Sequence, residues 1–254
     1  MVKLLVLGSA AGYPSPGLGY SSCRLQTQSA EVLIDAGEPC SRSLVERGLY
    51  PSTLDAVFLT HGHADHTGGL PMLLQTAIIL KRSKPLTLVM PGELVGPLRA
   101  WLEAACIGPS VSPFAMNFVA WEDQRVFTGF GLQVQPELTR HLEYLRPVST
   151  LPLHAFSLRI AIGDVNLVVS GDIADPEDLG PQLHQPVDLL LCELAHFEPE
   201  RLFTFLRGKT VTTLLVTHVA SRFLPQKSTL AARARELLPQ TSTLFAEDGL
   251  TLEF

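Results

Sequence analysis

Short apolar runs recur along the chain, and each is followed by glycine or polar residues. Most of these runs are apolar at consecutive positions, which is the pattern of strands buried on both faces. The predicted strands are 3–8 (KLLVLG), 30–37 (AEVLIDAG), 56–60 (AVFLT), 86–90 (LTLVM), 188–194 (DLLLCEL) and 213–218 (TLLVTH).

Between these runs, apolar residues recur at the spacing of an amphipathic helix. The predicted helices are 40–49 (CSRSLVERGL), 68–82 (GGLPMLLQTAIILKR), 93–105 (ELVGPLRAWLEAA) and 229–238 (TLAARARELL). Pro71 falls in the first turn of its helix, where proline is tolerated.

Two segments are predicted to be hairpins. The segment 154–172 turns at Gly163-Asp164, and the segment 243–254 (TLFAEDGLTLEF) closes the chain. Strands and helices therefore mix throughout, which predicts an α/β fold with two packed sheets, helices outside and two similar halves. Because no linker or low-complexity tract divides the sequence, residues 1–254 are expected to form a single domain.

Composition and charge narrow the function classes. The formal net charge is −6, which argues against a stable nucleic-acid partner held by broad electrostatic attraction. No segment has the length of a membrane span, and the N-terminal apolar run is too short for a signal peptide. The four cysteines are scattered without metal-site spacing. We therefore expect a reduced, cytoplasmic protein with no membrane partner, for which a homodimer is a possible assembly.

The stretch LTHGHADHTGG concentrates three of the eight histidines in one short loop. Buried imidazoles are costly unless they are hydrogen-bonded, so packing alone does not explain such a cluster. His61, His63, Asp65 and His66 all follow the strand that ends at Thr60. Their three imidazoles and one carboxylate are therefore expected to lie close together in space.

Other polar residues follow three further strands. They are Asp172 after LVVSG, Glu193 and His196 after LLLC, and His218 after LLVT. The carboxyl ends of strands are where open α/β sheets place their sites. Each of these residues taken singly is typical of a satisfied polar residue or a helix cap, and only their combination predicts a site.

The motif THGHADHTGG resembles the H-x-H-x-D-H signature of the metallo-β-lactamase superfamily. The later SGD at Asp172 and THVASR at His218 stand where that superfamily has its other ligands. The opening LGSAAGYPSPGLGYSSCRL and the VLIDAG strand are similar to the ribonuclease Z and phosphodiesterase branch. The resemblance covers the whole chain and implies an αββα sandwich of two mixed sheets with helices on the outer faces. It also implies a pair of metal ions in the groove between the sheets.

The resemblance implies seven metal ligands. One ion would be held by His61, His63 and a further histidine, and the other by Asp65, His66 and His218, with Asp172 bridging. Between the first cluster and Asp172 the chain has only His141 and His154. His154 falls inside a predicted hairpin strand, whereas His141 follows the strand-like 131–139 (GLQVQPELT) and opens a loop. His141 is therefore favoured, and His154 is the alternative.

Imidazole and carboxylate ligands without thiolate suit a hydrolytic metal site. We favour two zinc ions, with manganese or iron as alternatives. Two such ions can share and deprotonate one water molecule, giving a metal-bridging hydroxide, and can stabilise the attacking and leaving oxygens. The resemblance implies that Asp65 also acts in catalysis by orienting this hydroxide. Asp35 or Glu193 could hold the imidazoles in one tautomer, although Asp35 could equally be a strand-end cap.

Two residues point to a phosphodiester substrate. Arg222, in a stretch similar to HFSSR of ribonuclease Z, could bind phosphate oxygens; the alternative is a solvated surface arginine. His196 could protonate the leaving oxygen; the alternative is a polar strand-end residue bonded to a nearby carboxylate. The chain lacks a GHST-like element and a long basic insertion, and LCELAH resembles the DCSH-like stretch of a cyclic-phosphate phosphodiesterase. The leading prediction is a dinuclear phosphodiesterase for small, cyclic or nucleic-acid-derived diesters.

Two other classes of function stay open. One is a hydrolase of another ester or amide, such as a sulfatase, lactonase or β-lactamase. The other is a non-catalytic member of the fold that binds a ligand. A complete ligand set argues against the second class, because a binding module has no need of all seven residues.

Overall fold

Two seven-stranded β-sheets form the centre of the structure, a computed structural model that describes all 254 residues. In spatial order the first sheet contains β14 (Thr251–Glu253), β1 (Lys3–Gly8), β2 (Ser22–Gln26), β3 (Glu31–Ile34), β4 (Ala56–Phe58), β5 (Leu86–Pro91) and β6 (Met116–Trp121). The second contains β13 (Ser242–Phe245), β12 (Val211–Val219), β11 (Val187–Leu194), β10 (Val165–Val169), β9 (Ala155–Ile162), β8 (Leu132–Thr139) and β7 (Phe127–Gly129). Both sheets mix parallel and antiparallel pairs, and β3–β6 and β10–β13 are their parallel parts.

Helices cover the outer face of each sheet. They are α1 (Cys40–Val45), α3 (Leu70–Ile79), α4 (Gly92–Ala104), α5 (Pro199–Leu206) and α6 (Lys227–Leu237), whereas α2 (Ala64–Thr67) is a single turn in the loop after β4. Apolar residues of α1, α3 and α4 share a buried cluster with the first sheet, and those of α5 and α6 share one with the second. None of the helices is both long and apolar enough to cross a bilayer.

The consecutive apolar residues of β1 are divided between two cores. Leu4 and Val6 belong to a cluster of 22 buried residues that both sheets contribute to, whereas Leu5 and Leu7 pack on the helix side. Successive side chains of a strand point to opposite faces, so a strand between two cores must be apolar at every position. The strand β11 repeats this division, with Leu189 facing the other sheet and Leu190 facing the helices. The predicted αββα sandwich is therefore confirmed.

The last segment contradicts the predicted hairpin at 243–254. Its first strand, β13, pairs in parallel with β12 of the second sheet, while β14 pairs antiparallel with β1 of the first. The connection between them crosses from one sheet to the other. There the carboxylate of Asp248 accepts hydrogen bonds from the backbone N–H groups of Ser9 and Gly19. Alternation in the sequence shows which face of a strand is buried and does not show which strand lies beside it.

The predicted turn at Gly163-Asp164 is confirmed, since it joins the antiparallel strands β9 and β10. The placement of His154 within that hairpin is wrong by one residue, because β9 begins at Ala155. The backbone N–H of His154 donates to Glu93 at the start of α4 instead of to a neighbouring strand.

Candidate metal centre

Four strands deliver polar side chains to one edge of the two sheets. His61 follows β4, Asp172 follows β10, and His196 follows β11. His218 is the penultimate residue of β12. Because β10, β11 and β12 run parallel, their carboxyl ends open at the same place, facing the carboxyl end of β4.

The loop after β4 folds its polar residues together through one helical turn. His63 is the residue before α2, and its carbonyl accepts hydrogen bonds from the N–H groups of His66 and Thr67. This tight turn brings the His61 and His66 rings to 4.1 Å between centroids, and the His61 and His63 rings to 4.7 Å.

Asp172 reaches the same point because Gly171 precedes it. Gly171 has φ +54, in the left-handed region that favours glycine. A Cβ at this position would lie 2.7 Å from the carbonyl oxygen of Phe156 and 3.0 Å from Cβ of Thr60. Only a residue without a side chain allows the end of β10 to pack so closely on the end of β4.

The first group of possible ligands gathers at one oxygen of Asp172. Its members, His61, His63, His141 and Asp172, each offer one ligand atom, and these atoms lie within 4.8 Å of one another. The Nε2 atoms of His61 and His141 lie 3.7 and 3.5 Å from Asp172 Oδ2. His141 Nε2 is 3.2 Å from His63 Nδ1.

The second group adjoins the first through the same carboxylate. It consists of Asp65, His66 and His218, whose ligand atoms also lie within 4.8 Å of one another. His66 Nε2 is 3.3 Å from Asp172 Oδ1, and His218 Nε2 is 3.5 Å from Asp172 Oδ2. Both Nε2 atoms lie 3.7 Å from Asp65 Oδ2. The structure thus brings the seven predicted ligands together in two adjacent groups that share Asp172.

Three buried atoms at the centre of these groups have no hydrogen-bond partner. They are His61 Nε2, His66 Nε2 and Asp172 Oδ1. An unsatisfied buried polar atom costs roughly 1–3 kcal/mol, so three of them facing one another call for a ligand that the protein itself does not supply. The donor set of imidazole nitrogen and carboxylate oxygen fits divalent transition-metal ions.

The electrostatics of the first group favour neutral imidazoles. Burial holds the pKa of His61 well below its usual range and lowers the pKa of His141 to about 4. Burial likewise lowers the pKa of the less enclosed His63. A neutral imidazole has the free lone pair that a metal ion needs.

In the second group the pKa of one histidine, His66, is raised instead of lowered. Burial acts to lower the pKa of His66, but the negative charges of Asp172 and Asp35 outweigh it and hold that pKa well above its usual range. Burial acts to raise the pKa of Asp172, but the nearby His218 and His66 lower it well below its usual range. Because metal ligation requires a neutral imidazole, a metal ion bound there would compete with a proton on His66.

Hydrogen bonds on the far side of each ring fix the orientation of three of the imidazoles. His66 Nδ1 donates to Asp35 Oδ2 at 2.8 Å, and the same carboxylate accepts from Thr60. Thr60 Oγ1 is 3.1 Å from His61 Nδ1, so Asp35 supports ligands of both groups. Ser21 Oγ lies 3.3 Å from Nδ1 of His218.

Sequence reasoning missed two of these partners. Ser21 had no local signal in the sequence. The hydroxyl of Thr60, at the end of an otherwise apolar strand and directly before His61, was a signal that could have been used.

His196 stands at the edge of the same cluster. Its Nδ1 donates to Glu193 at 2.7 Å, and its Nε2 is 3.9 Å from Asp172 Oδ2. Its side chain is 36% exposed, unlike the buried rings beside it. Burial acts to lower the pKa of His196, but the hydrogen bond and charge of Glu193 outweigh it and raise that pKa above its usual value.

The two remaining candidate residues, Arg222 and His154, lie outside the two ligand groups. Arg222 is exposed, and its guanidinium donates to the carbonyl of Ala195, the neighbour of His196, at 3.4 Å. His154 is in neither group. Its Nδ1 is 3.1 Å from Glu93, so the structure includes His141 in the cluster and leaves His154 outside it.

Comparisons with known proteins agree with this geometry. A family model described as "Beta-lactamase superfamily domain" matches residues 31–234. Ribonuclease Z of Lachnospira eligens is 34% identical over 128 residues, covering 49% of this chain and 40% of that relative. Ribonuclease Z of Bradyrhizobium sp. is 24% identical over 306 aligned positions, covering 99% of this chain and all of that relative. The predicted resemblance to ribonuclease Z is thereby confirmed.

Solved structures show the same fold. The metallo-β-lactamase fold protein YhfI from Bacillus subtilis superposes with a TM-score of 0.81 at 18% identity, covering 100% of this chain and 99% of that one. The family match spans most of the sequence and includes all seven residues of the two ligand groups. Together, the sequence match, the fold and the clustered histidines and carboxylates establish that the chain belongs to the beta-lactamase superfamily.

Proposed function

We propose that the protein is a metal-dependent phosphodiesterase with two metal ions, which acts on a small, cyclic or nucleotide phosphodiester. The observation that carries the proposal is the pair of ligand groups sharing Asp172, with three orphaned buried atoms between them. The relatives named ribonuclease Z support a phosphodiester as the bond cleaved. The alignment with the first of them covers only 40% of its length, so its activity is carried over here as part of the proposal.

The first group, His61, His63 and His141, would hold one metal ion, and the second, Asp65, His66 and His218, would hold the other. Asp172 would serve both. Bound there, divalent ions supply an activated water and positive charge next to the phosphate oxygens. We favour zinc, with manganese or iron as alternatives, because the donors are imidazole and carboxylate.

The chain's own residues have separate tasks in this proposal. Asp65, on the solvent side of the cluster, orients the attacking water. Asp35 keeps His66 in the tautomer whose Nε2 is free. His196, held by Glu193, carries a proton at Nε2 for the leaving oxygen, and Arg222 binds a non-bridging phosphate oxygen.

Parallel assays with three classes of substrate test the proposal. We expect turnover of bis(p-nitrophenyl) phosphate or of a 2′,3′-cyclic nucleotide, and almost none of a carboxylic ester, a penicillin or a cephalosporin. A chelator should abolish the activity, and added zinc or manganese should restore it. The Asp172→Ala variant, prepared in the same way, controls for a contaminating hydrolase. Efficient β-lactam turnover without any phosphodiesterase activity would contradict the proposal.

A further inference from the structure

Two loops beside the ligand groups each carry a solvent-exposed tyrosine. The chain has four tyrosines, and Tyr13 and Tyr144 are 75% and 64% exposed. Tyr144 lies in the loop that begins at His141, and the two ring centroids are 6.3 Å apart. Tyr13 follows Gly12, where a Cβ would lie 3.1 Å from Asp65 Oδ2. Tyr144 therefore lies beside the first ligand group, and Tyr13 directly follows a residue that packs against the second.

The loop that carries Tyr144 has further apolar side chains in water. Val148 is 79% exposed and Leu151 is 53% exposed. The loop is also held in shape by its own polar contacts, including an ion pair between Glu143 and Arg146. Exposed apolar groups that gather beside a polar site commonly mark the surface where a ligand binds.

We propose that Tyr13 and Tyr144 stack on the nucleobases on the two sides of the scissile phosphodiester. The inference rests on the phosphodiesterase function proposed above and narrows its substrates to diesters that carry bases. An aromatic ring offers a flat apolar face to any base, and such stacking is tolerant of sequence. With a net charge of −6 the protein has little general attraction for phosphates, so stacking supplies affinity that charge does not.

Kinetics on a matched pair of substrates test this inference. The pair is a dinucleoside monophosphate and the same diester with both bases replaced by hydrogen. Tyr13→Ala and Tyr144→Ala should each raise the KM of the base-bearing substrate about tenfold and leave the KM of the abasic one within about twofold. Tyr13→Phe and Tyr144→Phe should retain the wild-type preference. Tyr50→Ala removes an exposed tyrosine ahead of β4, at the opposite end of that strand from the ligands, and serves as the control.

A binding measurement separates this inference from the proposed function. Calorimetric titration of the metal-loaded protein compares AMP with ribose 5-phosphate, which has a hydroxyl group where AMP has the base. We expect AMP to bind about tenfold more tightly, and the double variant Tyr13→Ala/Tyr144→Ala to lose that difference. If no diester is hydrolysed but AMP keeps this advantage, the proposed function fails, and what stands of the inference is that the two tyrosines bind a base. Equal affinity for the two ligands, or a base preference that survives in the double variant, overturns the inference.

Discussion

The candidate site contains two histidine–carboxylate pairs in different surroundings. We call the buried pair, His66 and Asp35, with the ligand groups around it, the floor of the site, and the solvent-facing pair, His196 and Glu193, the rim. At the floor, His66 and Asp35 are joined at 2.8 Å, and their side chains are 1% and 6% exposed. At the rim, His196 and Glu193 are joined at 2.7 Å, but the His196 side chain is 36% exposed. In both pairs the carboxylate holds Nδ1 and leaves Nε2 free.

What differs is the environment of that free nitrogen. His66 Nε2 is buried without a hydrogen-bond partner, 3.3 Å from Asp172 Oδ1, and a metal ion would supply the partner it lacks. His196 Nε2 lies 3.9 Å from the same carboxylate and reaches solvent. In the proposed account, burial of the second nitrogen, more than the histidine–carboxylate bond itself, would separate a metal ligand from a proton carrier.

The largest effect on metal content and activity is expected from the two candidates for the third histidine of the first group, His141 and His154. His141→Ala should reduce bound metal and lower activity by at least about 10²-fold, since it removes a direct donor from the first group. His154→Ala is the matched variant. It should keep metal and activity and cost about 1 kcal/mol of stability, because it removes only the side-chain contact to Glu93. Metal titration of both variants shows which histidine binds metal. A greater loss of metal in His154→Ala than in His141→Ala would mean that the wrong histidine has been assigned.

The next largest effect is a loss of kcat without a loss of metal, which is expected at the rim and not at the floor. His196→Ala should retain both metal ions yet lose about 10²- to 10⁴-fold in kcat on a diester with an alkyl leaving group. On a p-nitrophenyl diester the loss should be small, because that leaving group needs no proton. Measured kcat on the two substrates gives the comparison. Equal losses on both, with metal retained, would leave His196 with a structural or binding role.

A smaller change is expected from removing the charge of the floor carboxylate. Asp35→Asn preserves the shape of the side chain but weakens its hold on His66 and on Thr60, so metal affinity should fall about 10- to 100-fold. The His196→Ala variant serves as the rim counterpart and should show wild-type metal affinity. Competition with a chromogenic chelator measures the metal affinity of both variants. Unchanged affinity in Asp35→Asn would mean that Asp35 only caps the end of its strand.

The smallest effect is expected for Arg222, whose exposed side chain lies beside the loop of His196. Arg222→Ala should raise the KM of phosphodiesters about tenfold with kcat nearly unchanged, since a single charge-assisted hydrogen bond to phosphate would be lost. Arg222→Lys should recover part of the affinity. If both variants have the wild-type KM, Arg222 is a solvated surface residue whose guanidinium contacts Ala195, Glu198 and the ring of Phe223.

The sequence predicted those parts of the molecule that depend on local pattern. The loop from His61 to His66 could be recognised because its donors lie within one helical turn. The buried strands could be recognised because β1 and β11 pack on two cores and are apolar throughout.

Features that depend on distant partners could not be recognised in the same way. The two strands of the last segment join different sheets, and nothing in their own alternation specifies a partner. The edge strand β6 was not among the predicted strands, since its apolar run FVAW is short and only partly buried. Ser21, Tyr13 and Tyr144 lie in loops whose course is set by tertiary contacts.

The central claim is that the floor holds two metal ions per chain, and elemental analysis of the purified protein tests it most directly. Protein prepared without chelator, or reconstituted with zinc and then dialysed, should contain close to two ions per chain. The Asp172→Ala variant should retain fewer, because it removes the carboxylate that lies within 3.7 Å of ring nitrogens of both groups. A wild-type content of at most one ion per chain, even after reconstitution, would contradict the account.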